Sequence, residues 1–333
     1  MELLVIFAAF GLAYGVVLQQ SGFCFARAGF ELFLLRSRDA FSGVMAGLVV
    51  ATLGFSAVTA VRAARGLEPA AHLLILPVGL GTLLGGMLFG LGMTLAGMCA
   101  AGTLQRLGEG YLIAWFTLAG AIAGAALDPF RAFLPPAWTM QLPRGLWLGT
   151  HLGAIGGGIA GAIALSLIWL GIARSQDRAR PAKRVFSLRG ALTPTVIGGA
   201  LLGLINTVQM AVVTPWTVMY PLSLVSSAAT DAVTRSGLHR GAPFLMLDLG
   251  LIVGSLIASA RGGLRLRRPR RWQEIASALI GGALMAWGVQ LGKGCTIGGV
   301  FSALPSLSLS GWLFLPSLFF GAWIGSQVVR RLH

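Results

Sequence analysis

The 333-residue chain is 56% hydrophobic and only 11% charged, less than half the ~25% charged share of a soluble domain. So few charges cannot cover a soluble surface of this size, which excludes a soluble enzyme, a disordered chain and a DNA-binding protein. The net charge of +15, from 25 Lys and Arg against 10 Asp and Glu, then reads as loop charge that orients a membrane protein and not as a nucleic-acid footprint.

The chain opens at Met1-Glu2 and runs straight into an apolar stretch. It lacks the basic region and small-residue cleavage site of a signal peptide, so this stretch reads as the first membrane span. Apolar stretches of roughly 17–25 residues, enough to cross a bilayer, follow one another along the sequence. They lie at 3–19, 41–61, 77–96, 111–127, 148–173, 191–210, 242–260, 275–292 and 311–329. Four shorter apolar pieces, 23–35, 98–107, 211–229 and 296–309, are too short or too interrupted by Gly, Pro and Ser to span. They read as re-entrant or half helices. The predicted fold class is an all-α polytopic membrane protein with about nine transmembrane helices and four short re-entrant or half helices. The 48 glycines, about twice average usage, suit close helix approach and broken backbone within a membrane.

Nine spans alternate the loops between two sides. One side receives Arg27, Arg36, Arg38, Arg106, the basic residues from Arg174 to Arg189, those from Arg261 to Arg271, and Arg330 with Arg331. That is 18 of the 25 cations; the other side holds Arg62, Arg65, Arg131, Arg144, Arg235, Arg240 and Lys293. The positive-inside rule places the crowded side in the cytoplasm, with the N-terminus outside and the C-terminus inside. The basic run 261–271 is a topology anchor near anionic lipid.

An internal repeat runs through the chain at an offset of 196 residues. Gly85, Gly86, Gly92, Leu95, Cys99 and Gly102 find Gly281, Gly282, Gly288, Leu291, Cys295 and Gly298. A weaker match joins Gly11-xxx-Gly15 to Gly199-xxx-Gly203, which puts the position equivalent to Cys24 near Val212, with no second thiol. The reading is a first repeat over 1–130, a linker span with a basic loop over 131–189, and a second repeat over 190–333. Four spans per half and a fifth between them make the copies inverted, an architecture of transporters whose sites lie where discontinuous helices meet.

Two segments carry the chemistry. Gly97-Met98-Cys99-Ala100-Ala101-Gly102 and Gly292-Lys293-Gly294-Cys295-Thr296-Ile297-Gly298 each interrupt an apolar helix. Broken helices present N-terminal N–H groups that favour anions, and Thr103, Gln105, Thr296, Gln290 and Gln209 can add neutral donors. Asp248 is the one acid within a span, a proton-coupling candidate or a residue near the outer interface. Such poverty of acids fits an anion path. A neutral thiol is cheap to bury and donates weakly to a soft anionic sulfur, and weak repeated contacts permit both binding and exit. Lys293 attracts an anion at the outer mouth or snorkels to the interface. The sequence has no CxxC, HExxH or His–acid cluster, so no metal or cofactor is expected. His72, His151, His239 and His333 read as loop or interface residues.

Ser21-Gly22-Phe23-Cys24-Phe25, Gly97-Met98-Cys99 with Gly102, and Lys293-Gly294-Cys295-Thr296-Ile297-Gly298 followed by Ser310-Gly311-Trp312 resemble the YeeE/YedE-type sulfur-transport membrane family over nearly the whole chain. The resemblance implies uptake of thiosulfate on a fold of nine spans with short inward-dipping helices. It also implies a cysteine relay through a narrow waist, matching Cys24, Cys99 and Cys295. A small soluble sulfur-carrier protein on the cytoplasmic side is an implied partner. The leading expectation is a thiosulfate transporter, not an enzyme. Its translocation residues would be Cys24, Cys99, Cys295, Gly22, Gly97, Gly102, Lys293, Gly294, Thr296 and Gly298. The alternatives are a membrane sulfurtransferase-like protein that carries persulfide on a cysteine, and a permease for another sulfur or selenium anion.

Overall fold

A computed structural model describes residues 2–35, 37–66, 78–127, 149–179, 193–213, 217, 235–260, 268–269 and 271–332. Eleven α-helices order these residues: α1 Glu2–Ser21, α2 Phe25–Phe30, α3 Asp39–Ala64, α4 Leu80–Ala96, α5 Ala100–Glu109 and α6 Leu112–Leu127. Then come α7 Gly149–Ala179, α8 Pro194–Val212, α9 Arg235–Ala260, α10 Trp272–Gly292 and α11 Leu309–Leu332. Two wider π-helical segments, Glu31–Leu35 and Thr296–Ser302, extend α2 and follow α10. No strand occurs among the described residues. The protein is an all-α polytopic membrane protein.

Eight helical stretches among the described residues are long and apolar enough to cross a membrane. The difference from the nine spans read in the sequence is α6. It is apolar, but only 16 of its residues, up to Leu127, are among those described, fewer than the roughly 17–25 of a span. Three of the four short pieces are broken from their neighbours as expected: 23–35 holds α2 and its π turn, 98–107 holds α5, and 296–309 holds the second π segment. The piece 211–229 lies outside the described residues apart from 211–213 and Thr217. So do most of the basic run 261–271, the expected loop charges Arg131 and Arg144, and the terminal His333.

Local chemistry sets the breaks. Gly97 (φ 68°) ends α4 and Gly110 (φ 89°) ends α5, both in the left-handed region that glycine enters without a Cβ clash. Pro194 opens α8, where its missing N–H costs nothing.

Glycine then sets the packing. A Cβ on Gly85 would meet the backbone of Gly288 and Gly292, and one on Gly92 would meet Gly281, so α4 and α10 run antiparallel with their backbones touching. By the same close approaches α1 lies parallel to α9 (Gly11 at Leu247, Gly15 at Leu251), and α3 to α8 (Gly43 at Thr195, Gly47 at Gly199). Likewise α4 runs parallel to α11 (Gly86 at Phe314, Gly90 at Leu318), and α6 to α10 (Gly120 at Leu279, Gly124 at Ala283). Helix α7 runs antiparallel along α3, with Trp169 Nε1 donating to Ser42 Oγ at 3.0 Å and Arg38 to the Ala173 carbonyl at 3.5 Å. Lipid offers no hydrophobic drive between helices, so this close van der Waals contact is what holds them.

One face of the bundle gathers α2, the ends of α4 and α11 and the start of α10 around a common cavity. Arg106, Arg268 and Arg271 line it. Lys293 sits at the opposite end of α10.

Replacing Gly85 by Ala forces a methyl into the α10 backbone, and overpacking of this kind costs about 1–3 kcal/mol. Thermal unfolding in detergent should show a lowered midpoint for Gly85→Ala and none for Gly171→Ala, whose added methyl meets nothing within 4 Å.

Candidate functional site

Each of the three cysteines stands at the residue before a short helix. Cys24 precedes α2, Cys99 precedes α5, and Cys295 precedes the segment Thr296–Ser302. All three have extended backbone there, and each carbonyl accepts the first helical bond: Ala28 N–H to Cys24 at 2.9 Å, Thr103 N–H to Cys99 at 2.8 Å, Gly299 N–H to Cys295 at 2.7 Å. Two of the thiols also cap their helices. Cys99 Sγ accepts from the Gly102 N–H at 3.4 Å, and Cys295 Sγ accepts from the Gly298 N–H at 3.3 Å. This is the usual role of a Ser or Asp oxygen, here filled by sulfur.

The structure brings the cysteines of the first half together. The Cys24 and Cys99 thiols are close neighbours, and both sulfurs flank Gly102, whose added Cβ would lie 3.5 Å from each. Thr296 Oγ1 stands beside the Cys99 thiol without a well-formed hydrogen bond of its own. Thr296 is the residue after Cys295, so it links the first-half thiols to the second-half one. Cys99, Cys295 and Thr296 are buried, while Cys24 is partly exposed. Cys24, Gly22, Gly97 and Gly102 line a cavity of about 420 Å³.

Gly294 is buried behind the second break, its Cα and carbonyl carbon 3.3 and 3.5 Å from where a Cβ on Gly299 would sit. Lys293 is exposed and left-handed, with φ 52°. Its 196-residue counterpart is Gly97 at φ 68°, so the same turn is made by glycine in one half and by lysine in the other. Thr217 packs against Gly298 as Cys24 packs against Gly102. Contacts therefore put Thr217 in the place corresponding to Cys24, five residues beyond the position that glycine spacing indicates. The glycine pattern repeats every helical turn, and spacing alone cannot tell one turn from the next.

The neutral donors divide. Gln105 Nε2 lies 3.1 Å from Gln19 Oε1 and 3.0 Å from Glu109 Oε1, and its carbonyl accepts from Ser255 Oγ at 2.8 Å. Thr103 Oγ1 is spent on the Cys99 carbonyl at 2.9 Å, and Gln290 Nε2 on the Ala125 carbonyl at 2.9 Å. Gln209 is fully buried, and both its amide atoms lack a protein partner among the described residues. Asp248 sits mid-helix in α9, next to the Leu247–Gly11 approach, with Oδ1 buried and unpartnered.

Some residues that shape the site are not among the translocation residues read from the sequence. Phe23, Phe25 and Phe301 meet edge to face with centroids 5.6–6.2 Å apart and clamp the Cys24 loop to the Cys295 segment. Asn206 Nδ2 donates to the Phe301 carbonyl at 2.9 Å and anchors that segment from α8. A fully buried Asn in an apolar span was the available signal.

Short helices that break inside an all-helical membrane bundle, with thiols gathered at their ends, define a membrane transport protein. The chain matches the Sulphur transport family over residues 20–324, and it belongs to that family. It is 26% identical to a thiosulfate transporter, TsuA, of Spirochaeta thermophila, over 96% of this chain and 97% of the relative. It is 25% identical to TsuA of Escherichia coli over 96% of this chain and 92% of the relative. A shorter stretch, 26% of the chain, is 32% identical to a probable transporter, YedE, of Escherichia coli.

The left-handed backbone at Lys293 costs an L-residue about 1–2 kcal/mol, part of which glycine would recover. Lys293→Gly should therefore raise the thermal midpoint slightly. A lowered midpoint would show that the lysine side chain holds the fold.

Proposed function

We propose that this protein is an inner-membrane permease that takes up thiosulfate through a waist lined by neutral thiols and the N-termini of short helices. The observation that carries the reading is the convergence of Cys24 and Cys99 at Gly102, with Thr296 joining them to Cys295. A dianion with one soft terminal sulfur matches this lining. Its oxygens suit those first-turn N–H groups of α5 and of the Thr296–Ser302 segment that the cysteine caps leave over. Its sulfur suits thiols. Two full-length relatives named as thiosulfate transporters support the substrate.

Inverted repeats support the alternating geometry. Shifted by 196 residues, the last residue of α4 falls on that of α10. The contact Gly85–Gly288 exchanges under the same shift with Gly281–Gly92, the behaviour of a two-fold axis between antiparallel helices. The basic face that carries Arg106, Arg268 and Arg271 is cytoplasmic in this reading, with the N-terminus outside. A small soluble sulfur-carrier protein would receive the anion there.

Uptake of labelled thiosulfate into proteoliposomes tests the function; wild-type uptake no faster than into empty vesicles would sink it. Cys99→Ala and Cys295→Ala should each abolish uptake while the protein remains folded in the membrane. Gly102→Ala should fold normally, because its methyl reaches only ordinary contact distance from the two sulfurs. It should nonetheless slow uptake at least tenfold by filling the space between them, an order-of-magnitude expectation for misplacement at a close-fitting site.

A further inference from the structure

The cavity that ends at Cys24 is the inner step of a larger vestibule. It shares Phe30, Thr94, Gly97, Arg106 and Tyr111 with an outer cavity of about 950 Å³. We propose that Arg106, held over Tyr111 and working with the Cys24 thiol, forms an oxyanion-binding station at this one mouth. Its ligand class is a small divalent oxyanion; that it receives thiosulfate in particular rests on the reading above.

The charges in the inner cavity are not equivalent. Arg27 is bound to Glu31, and the other Glu31 oxygen accepts the Ala40 N–H at 3.2 Å. Glu109 is bound by Gln105. No carboxylate among the described residues pairs with Arg106. Its guanidinium instead lies 5.6 Å from the centre of the Tyr111 ring, a contact that fixes an arginine without neutralising it. Arg106 is also the cation whose field reaches the Cys24 sulfur. In the outer step Arg268 and Arg271 face Glu274, so the approach carries a positive excess.

The repeat shows that this is a feature of one mouth. At the 196-residue offset Arg106 becomes Ser302, Tyr111 becomes Leu307 and Gln105 becomes Phe301, all three packed in the core. Fold symmetry alone therefore does not account for a cation here. A guanidinium offers a planar fork that suits two oxygens of one anion, and the thiol is left for the remaining atom. One solvent-reachable cation binds weakly enough to let the anion leave.

The test reads charge at Cys24 without transport. Purified protein in nanodiscs is treated with an anionic sulfonatoethyl or a cationic trimethylammonioethyl methanethiosulfonate. Peptide mass spectrometry follows labelling at Cys24, with each rate normalised to that of the reagent with 2-mercaptoethanol. The wild type should favour the anionic reagent about tenfold, the size of a ~1.4 kcal/mol bias. Arg106→Gln should bring the ratio near one, and Arg106→Lys should keep most of it. Sulfate should slow labelling in the wild type and not in Arg106→Gln. Equal normalised rates in the wild type, or an unchanged ratio in Arg106→Gln, overturns the site. A wild type that shows the preference yet takes up no thiosulfate retires the transport reading and leaves the oxyanion station standing.

Discussion

A helix cannot be broken inside hydrocarbon unless the freed backbone groups find partners, since each bare N–H or C=O costs several kcal/mol there. The two cysteine breaks of this protein rest on that constraint. At Cys99 and Cys295 the break is closed by the cysteine itself: the sulfur accepts the N–H three residues on, and the carbonyl accepts the next. A cap of this kind uses a sulfur lone pair. At Cys99 the same thiol also meets Cys24. In the proposed path the thiols serve both as caps and as contacts for the anion.

The frame around the waist is rigid because it is built from backbone on backbone. Gly85 against Gly288, Gly92 against Gly281 and Gly11 against Leu247 leave no side chain between helices that could change rotamer. Small residues at these positions give the close approach that membrane helices need in place of a hydrophobic drive. Around the waist itself the packing is aromatic. Phe23, Phe25 and Phe301 interlock at edge-to-face geometry, and Asn206 ties the Phe301 carbonyl to α8. The loop of Cys24 and the segment after Cys295 are thereby held to each other although they come from opposite halves of the chain.

The helical membrane fold was legible in sequence because lipid imposes it: long apolar runs have no other stable form at that depth. The short segments were legible for the same reason, through the Gly and Ser that interrupt them. What hydropathy does not carry is the identity of neighbours across helices. Cys24 and Cys99 read as separate thiols until the bundle sets them on either side of Gly102. Thr217 escaped because glycine spacing is self-similar from turn to turn. Arg106 was counted among loop charges, where its sign was used and its position was not; only the cavity and the ring of Tyr111 separate it from Arg38 or Arg268.

The two halves share a backbone plan and differ in the charges they mount on it. Gly97 and Lys293 make the same left-handed turn, and the lysine is placed there against the preference of its backbone. Arg106 stands where the other half has Ser302. In the proposed path Lys293, before its cysteine, and Arg106, after Cys99, each give one mouth a cation where the residue at the 196-residue offset is neutral. In the proposed path an anion meets a positive charge at either end and neutral thiols with helix N-termini between them. The low dielectric of the middle makes a full charge there bind too tightly to leave. Partial charges of helix ends and weak S–H donors lower the barrier without creating a trap. A lysine or arginine at the waist would defeat that balance, so the cations belong at the mouths.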